Sequence, residues 1–216
     1  MIRENIHRYE NWIFDWSGTL VDDLSMVLDA TNHVMEQYGL SKLSRSEFRS
    51  QFRLPYAGFY EEVIPNVPLD ELENHFRVGF AASEASGVTT PLLPHAVDFL
   101  QHLSAHNKRM FILSSMDASS FHRHSQELNV DHYFEAAYAG VLDKRDQIHH
   151  MIDTHQLDPS HTVFLGDMQH DIETARHGGV ASIALLTGYQ SAVQLEKSSP
   201  DLIARDLFEV KNLLKS

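Results

Sequence analysis

The feature that most constrains this chain is a recurring one. Short apolar runs end on a carboxylate or a hydroxyl, and a helix-length segment follows each of the later ones. "WIFD" closes on Asp15, "RMFILS" on Ser114 and "TVFLGD" on Asp167. Residues 134–139 and 181–186 read as further strands. Residues 119–129, 145–155, 171–177 and 208–214 read as helices, and Pro94 opens one over 94–106. Continuous apolar strands have no polar face to give to water. Alternating with helices of about ten residues, they predict a parallel sheet covered on both sides.

One block interrupts the series. "DLSMVLDATNHVMEQY" sets Leu24, Val27, Leu28, Val34, Met35 and Tyr38 at helical spacing, and Gly39 closes the helix. Helical patterns recur at 45–52, 58–63 and 69–86. Residues 22–89 therefore read as an all-helical insertion after the first strand. Residues 1–21 and 90–216 form one discontinuous α/β domain around it.

Composition narrows the functional classes. With 17 basic and 30 acidic side chains, the formal charge is −13 and no basic stripe is visible, which argues against nucleic acid as a partner. No apolar run spans a bilayer and the first residues carry no apolar signal-peptide core, so neither membrane insertion nor export is expected. The absence of Cys removes disulfides, thiolate metal sites and cysteine nucleophiles, and fits a cytoplasmic protein. The 15 histidines, including the pairs His122/His124 and His149/His150, read mostly as solvated surface, as does His170. Oligomeric state is not legible.

Ligands of open α/β sheets bind beyond the carboxyl ends of the strands. That edge receives Asp15 from one strand, Ser114 and Ser115 from a second, and Asp167 from a third, with Asp171 four residues on. Lys144 precedes a helix. Two strand-end carboxylates, a hydroxyl and a lysine make a workable Mg²⁺–phosphate site, since Mg²⁺ prefers carboxylate, water and phosphate oxygens. Backbone amides around Gly18 and Thr19 are candidates for cradling phosphate oxygens.

"FDWSGTLVD", "FILSS", Lys144 and "FLGDMQHD" resemble, in order, the four motifs of the haloacid dehalogenase (HAD) superfamily, and the match spans nearly the whole chain. The helical insertion resembles the C1 cap of its subfamily I, the branch of phosphoglycolate phosphatase, β-phosphoglucomutase and phosphonatase. The resemblance implies a Rossmann-like core with an all-helical cap domain, and a phosphatase of a small phosphorylated metabolite that forms an aspartyl-phosphate on Asp15. It implies Mg²⁺ held by Asp15, the Ser17 carbonyl, Asp167 and Asp171. Ser114 (less so Ser115) and Lys144 would then hold the phosphoryl group.

Position 17 departs from the family pattern. Phosphatases of this superfamily normally carry Asp there, as the acid and base of the reaction, and this chain has Ser17. A serine hydroxyl is far too weak an acid to replace it, and such help is typically worth about 10²–10⁴ in rate. Three readings stay open: a phosphatase with slow turnover or another acid, a phosphonatase, or a phosphate-binding protein without turnover. The phosphonatase motif also reads Asp-Trp-small-Gly-Thr, but its chemistry requires a cap lysine. Lys42 is the one lysine of the insertion, and it lies in a loop. Mutase and dehalogenase activities are disfavoured. Arg49, Arg53 and Tyr56 are the cap's candidates for contacting substrate.

Overall fold

The structure is a computed structural model describing residues 2–215. A short helix, α1 (Ile2–Asn5), leads into β1 (Asn11–Phe14). Four helices follow: α2 (Leu24–Gln37), α3 (Arg45–Gln51), α4 (Tyr56–Val63) and α5 (Leu69–Ala85). The chain then alternates through α6 (Ala96–Ala105), β2 (Arg109–Leu113), α7 (Ala118–Glu127), β3 (Ala136–Tyr138), α8 (Lys144–Thr154) and β4 (Thr162–Gly166). It ends with α9 (Gln169–His177), β5 (Ala181–Leu185), α10 (Ala192–Lys197), β6 (Leu202–Ala204) and α11 (Leu207–Leu213).

All six strands pair in parallel, in the order β3-β2-β1-β4-β5-β6. β1 lies inside the sheet, with Ile13 opposite Phe111 on one side and Phe164 on the other. Its side chains alternate as the pleat requires. Trp12 and Phe14 enter the larger core, where both meet Phe99 of α6 edge-on. Ile13 points the other way, into a second core with Ile148 and Met151 of α8. Every residue of β1 is buried, which is why the run reads as unbroken apolar sequence. Each large side chain sequestered in this way contributes about 1.5–3 kcal/mol.

The insertion has an apolar core of its own. Val34 and Met35 of α2, Phe59 and Tyr60 of α4 and Leu72 of α5 are buried together. Ser44 and Glu47 form a reciprocal capping box that starts α3. Among the described residues, no helix is long and apolar enough to cross a membrane.

Some boundaries differ from expectation for identifiable reasons. Pro94 does not open α6: His95, in the left-handed region at φ 69°, is the N-cap and the helix begins at Ala96. Strand β3 shrinks to three residues at the sheet edge. α10 and β6 have no counterpart in the sequence reading, although Ser191 and Gln194 form a capping box at the start of α10.

Candidate active site

Strand order alone brings the acids together. β1 and β4 are neighbours, and the chain continues past β1 so that the Asp15 amide donates to the Leu165 carbonyl at 2.9 Å. Asp15 and Asp167 thus leave adjacent strand ends, where the sheet order changes direction. Asp171, in the first turn of α9, accepts from the Met168 amide at 3.0 Å. Asp15, Asp167 and Asp171 each place an oxygen within 4.8 Å of the others, and all three are buried. Lys144, the first residue of α8, is completely buried and holds Asp15 and Asp171 at 2.7 Å each.

Two close backbone approaches fix Asp167. A Cβ on Gly18 would come within 2.6 Å of its carboxylate, and one on Gly188 within 2.1 Å. Gly18 also sits at φ +71°, so both the space and the backbone demand glycine there. The Thr19 hydroxyl donates to Asp167 Oδ1 at 3.3 Å, and the Tyr189 amide donates to Oδ2 at 2.6 Å.

The Gly18 and Thr19 amides, expected to be free to cradle phosphate, are engaged within the chain. Gly18 N–H donates to Val21 and Thr19 N–H to Trp16, closing the turn after β1. Neither residue borders the adjoining cavity. Ser17 and Ser115 do border it, and their amides have no hydrogen-bond acceptor among the described residues. Ser114 is buried behind Ser115, and its oxygen accepts the Met116 N–H at 3.2 Å.

Electrostatics follow from burying three acids beside one cation. Loss of water pushes the Asp15 carboxyl up to about 7 against the opposing pull of Lys144. Asp167 is raised well above the usual range by burial and by the neighbouring Asp15 and Asp171. Burial alone would discharge Lys144, but the two carboxylates outweigh it and hold the ammonium above its ordinary value. His170 is not the exposed residue expected. It is buried and accepts the Lys144 amide on Nε2 at 3.1 Å, and burial pushes its pKa down to about 4. It is a neutral ring that fixes the start of α8. His124 is also buried, beside Glu84.

Asp15 opens onto a cavity of about 530 Å³ between the sheet edge and the insertion. Tyr56 lines it, with its hydroxyl donating to Glu73 at 2.6 Å. Arg49 and Arg53 do not. Arg49 Nε reaches across to the Tyr189 carbonyl at 3.0 Å, and Arg53 pairs with Glu62 and the Gly58 carbonyl. The cavity's arginines are instead Arg77 and Arg123, and Arg123 ties α7 to α5 through Glu84 at 2.8 Å. Sequence reasoning also missed Asp23 and Tyr189, which border the cavity and are joined by a 3.0 Å hydrogen bond from the tyrosine hydroxyl. Burial lifts Asp23 to about 6, opposed by the nearby Ser17 and Tyr189 hydroxyls. The doubled acid at 22–23 was the available signal; nothing in "TGYQ" marked Tyr189.

Known proteins are similar to this chain in sequence and fold. Residues 12–185 match the haloacid dehalogenase-like hydrolase family. A 5'-nucleotidase of Pseudomonas aeruginosa is 22% identical over the full length of both chains. A phosphoglycolate phosphatase of Nitrosococcus oceani is 24% identical over 94% of this chain and 95% of its own. A haloacid dehalogenase-like hydrolase from Streptococcus pneumoniae superposes with a TM-score of 0.82 at 25% identity, over 95% of this chain and 98% of its own. With the motif residues gathered at one sheet edge, the chain belongs to the haloacid dehalogenase-like hydrolases.

Proposed function

We propose that this protein is a Mg²⁺-dependent phosphomonoesterase that transfers the phosphoryl group of a small metabolite to Asp15 and then to water. The observation that carries the reading is the buried Asp15–Lys144–Asp171 arrangement beside Asp167, at the mouth of a cavity large enough for a small metabolite.

The donor set suits Mg²⁺. Three buried carboxylates face one lysine, which leaves an excess of negative charge in a dry site, and every donor is a hard oxygen. Asp15, Asp167 and Asp171 would hold the ion, together with the Ser17 carbonyl, which accepts no hydrogen bond among the described residues. Bound there, Mg²⁺ supplies positive charge that screens the phosphate from the acids and stabilises charge on the transferring group.

The chain's own groups do the rest. A free Asp15 carboxylate oxygen attacks phosphorus. Lys144 balances the charge that Asp15 and Asp171 share and keeps Asp15 aimed. The Ser115 hydroxyl and the amides of Ser17 and Ser115 are donors at the cavity wall for phosphoryl oxygens, and Ser114 supports them from behind. Water then releases phosphate and restores Asp15. The insertion acts as a cap that closes the cavity over the substrate, with Tyr56, Arg77 and Arg123 facing the part beyond the phosphate. Schiff-base cleavage of a phosphonate is disfavoured: Lys42 is exposed and paired with Glu36 at 2.9 Å, and no lysine among the described residues borders the cavity.

A panel of small phosphomonoesters assayed with Mg²⁺ and with EDTA tests this reading. Phosphate release in Mg²⁺ alone is the expected result; a panel with no release removes the phosphatase reading. Binding should also be visible without turnover. At about 100 times its dissociation constant, Mg²⁺ adds about 2.7 kcal/mol of stability. That raises the Tm by roughly 5–10 °C in a chain of this size. Asp167→Asn should lose most of that increment, and an unchanged increment would place the ion elsewhere.

A further inference from the structure

The phosphoryl group fixes one end of an ester, and the cavity walls beyond it choose the other end. Three half-buried aromatic rings stand in those walls: Phe52 after α3, Tyr56 at the start of α4 and Phe76 within α5. Each packs at the margin of the insertion's core and keeps part of its surface uncovered. Apolar ring surface left open in a concave site is what a ligand covers. The rings are also held in place. Phe52 stacks on the fully buried Phe48, which does not border the cavity, at 4.7 Å between ring centres. The Tyr56 hydroxyl is tied to Glu73 at 2.6 Å, and Phe76 leans on Phe80 at 6.1 Å. Rings fixed in this way lose little freedom when another ring packs on them.

The charged groups argue against a second anion. Past Asp15 and Asp23, the cavity is lined by three carboxylates, Glu73, Glu84 and Asp117, and by two cations, Arg77 and Arg123. Arg123 is already paired with Glu84 at 2.8 Å. Arg77 is exposed, and its Nε donates to the Glu73 carbonyl at 3.3 Å. One arginine is neutralised by a carboxylate and the other is screened by water. No buried cation among the described residues borders the cavity to receive a carboxylate on the leaving group. Size points the same way. The cavity's volume of about 530 Å³ falls within the range of about 300–1,000 Å³ that encloses drug-sized ligands, and a two-carbon acid would leave most of it empty.

We propose that the leaving group is an uncharged alcohol bearing a planar aromatic ring, selected by Phe52, Tyr56 and Phe76. Nucleoside 5'-monophosphates and benzyl phosphate are esters of this class. The inference rests on the phosphatase reading above and adds which ester the cavity takes. Ring-on-ring contact supplies attraction beyond the burial of area alone. An ester with a carboxylate at its far end gains no partner and meets an excess of acids.

The test pairs turnover with binding. Values of kcat/KM with Mg²⁺ are measured for ethyl phosphate, benzyl phosphate, phosphoglycolate and a nucleoside 5'-monophosphate. Calorimetry with Mg²⁺ gives the affinities of ethylphosphonate, benzylphosphonate and phosphonoacetate, which carry no ester bond to cleave. Ethanol and benzyl alcohol are leaving groups of similar basicity, so their ratio reads the ring. Benzyl phosphate should exceed ethyl phosphate by about tenfold or more, and phosphoglycolate should fall about fivefold or more below it. The phosphonates should bind in the same order. The nucleotide distinguishes the sources of the ring: a value at or above benzyl phosphate makes it a nucleoside, and a lower one makes it a smaller aryl alcohol. Phe52→Leu and Phe76→Leu keep apolar bulk without the ring, and each should cut the benzyl-to-ethyl ratio by about 2–10-fold. A merely structural role would lower both esters together and leave the ratio alone.

Equal values for the benzyl and ethyl compounds, or a preference for the carboxylate-bearing ones, would overturn the proposal in either measurement, and neither needs a variant to fold. If no ester turns over, the phosphatase reading fails, and the phosphonate affinities still decide this one. Turnover without ring preference rejects the ring selection alone.

Discussion

Asp15→Asn will abolish turnover, by on the order of 10⁴-fold or more, while the metal-free protein becomes more stable at neutral pH. The two effects have opposite signs, and together they distinguish a nucleophile from a structural residue. Asparagine has the same shape but no anionic oxygen for attack at phosphorus. The stability gain follows from linkage. Burial raises the folded-state pKa of Asp15 from 3.8 to about 7, so the folded protein holds a proton there that the unfolded chain has already lost. Stability tied to that proton is complete below about pH 4 and is lost as pH rises through about 7. Removing the ionisable group removes that loss. The Tm difference between variant and parent in EDTA should therefore be small at pH 4 and largest at pH 8. It is moderated by the Lys144 contact to Asp15, which the variant weakens. A variant that keeps its turnover would end the assignment of Asp15 as nucleophile. One that loses turnover and stability together at pH 8 would make it a structural acid.

Much of this site is legible in sequence because sheet topology converts one-dimensional pattern into position. Asp15, Asp167 and Ser114 are found because each ends an unbroken apolar run, and parallel strands in one sheet end at the same edge. Asp171 follows from the first turn of the next helix. Lys144 is less legible by pattern: beside Arg145 it reads equally well as a solvated charge, and only chain order lifts it. The structure separates the two, burying Lys144 completely and leaving Arg145 to Asp143 at the surface.

The illegible part shares one cause. Asp23 and Tyr189 are 166 positions apart, and their hydrogen bond depends on the insertion folding back onto the loop after β5. No local period encodes such a contact. The same holds for Arg49, whose position in a helical segment said nothing of the Tyr189 carbonyl it binds. Arg77 and Arg123 lie on helices, where an arginine reads first as solvated. His170 reads as surface in sequence because its buried partner is a backbone amide 26 residues away. Local chemistry was readable, and the contacts between the insertion and the core were not.

Lys144→Met should be the most destabilising single substitution in this site. Lys144 is the cation in contact with the buried acids, 2.7 Å from both Asp15 and Asp171 and with its ammonium 5.9 Å from the Phe164 ring centre. Methionine fills a similar volume, so packing is nearly conserved and the change isolates charge. Removing one partner of a buried ion pair typically costs about 3–5 kcal/mol, because the remaining charge stays desolvated and uncompensated. In a chain of this length that is roughly 6–20 °C in Tm. The pH dependence has a definite sign. Lys144 pulls the Asp15 pKa down, so without it Asp15 rises further above 3.8 and the folded state pays an increasing penalty as the carboxylates ionise. The deficit should be least in acid, where the acids are protonated, and should grow through neutral pH. Urea unfolding in EDTA at pH 5 and pH 8 measures it. Adding Asp15→Asn to Lys144→Met should recover a substantial part of the loss at pH 8, since the second substitution removes a charge that the first stranded. Equal stability of Lys144→Met and the parent at pH 8, or strictly additive losses in the double variant, would mean that Lys144 does not balance these acids, and its role would then have to be sought in contact with the substrate alone.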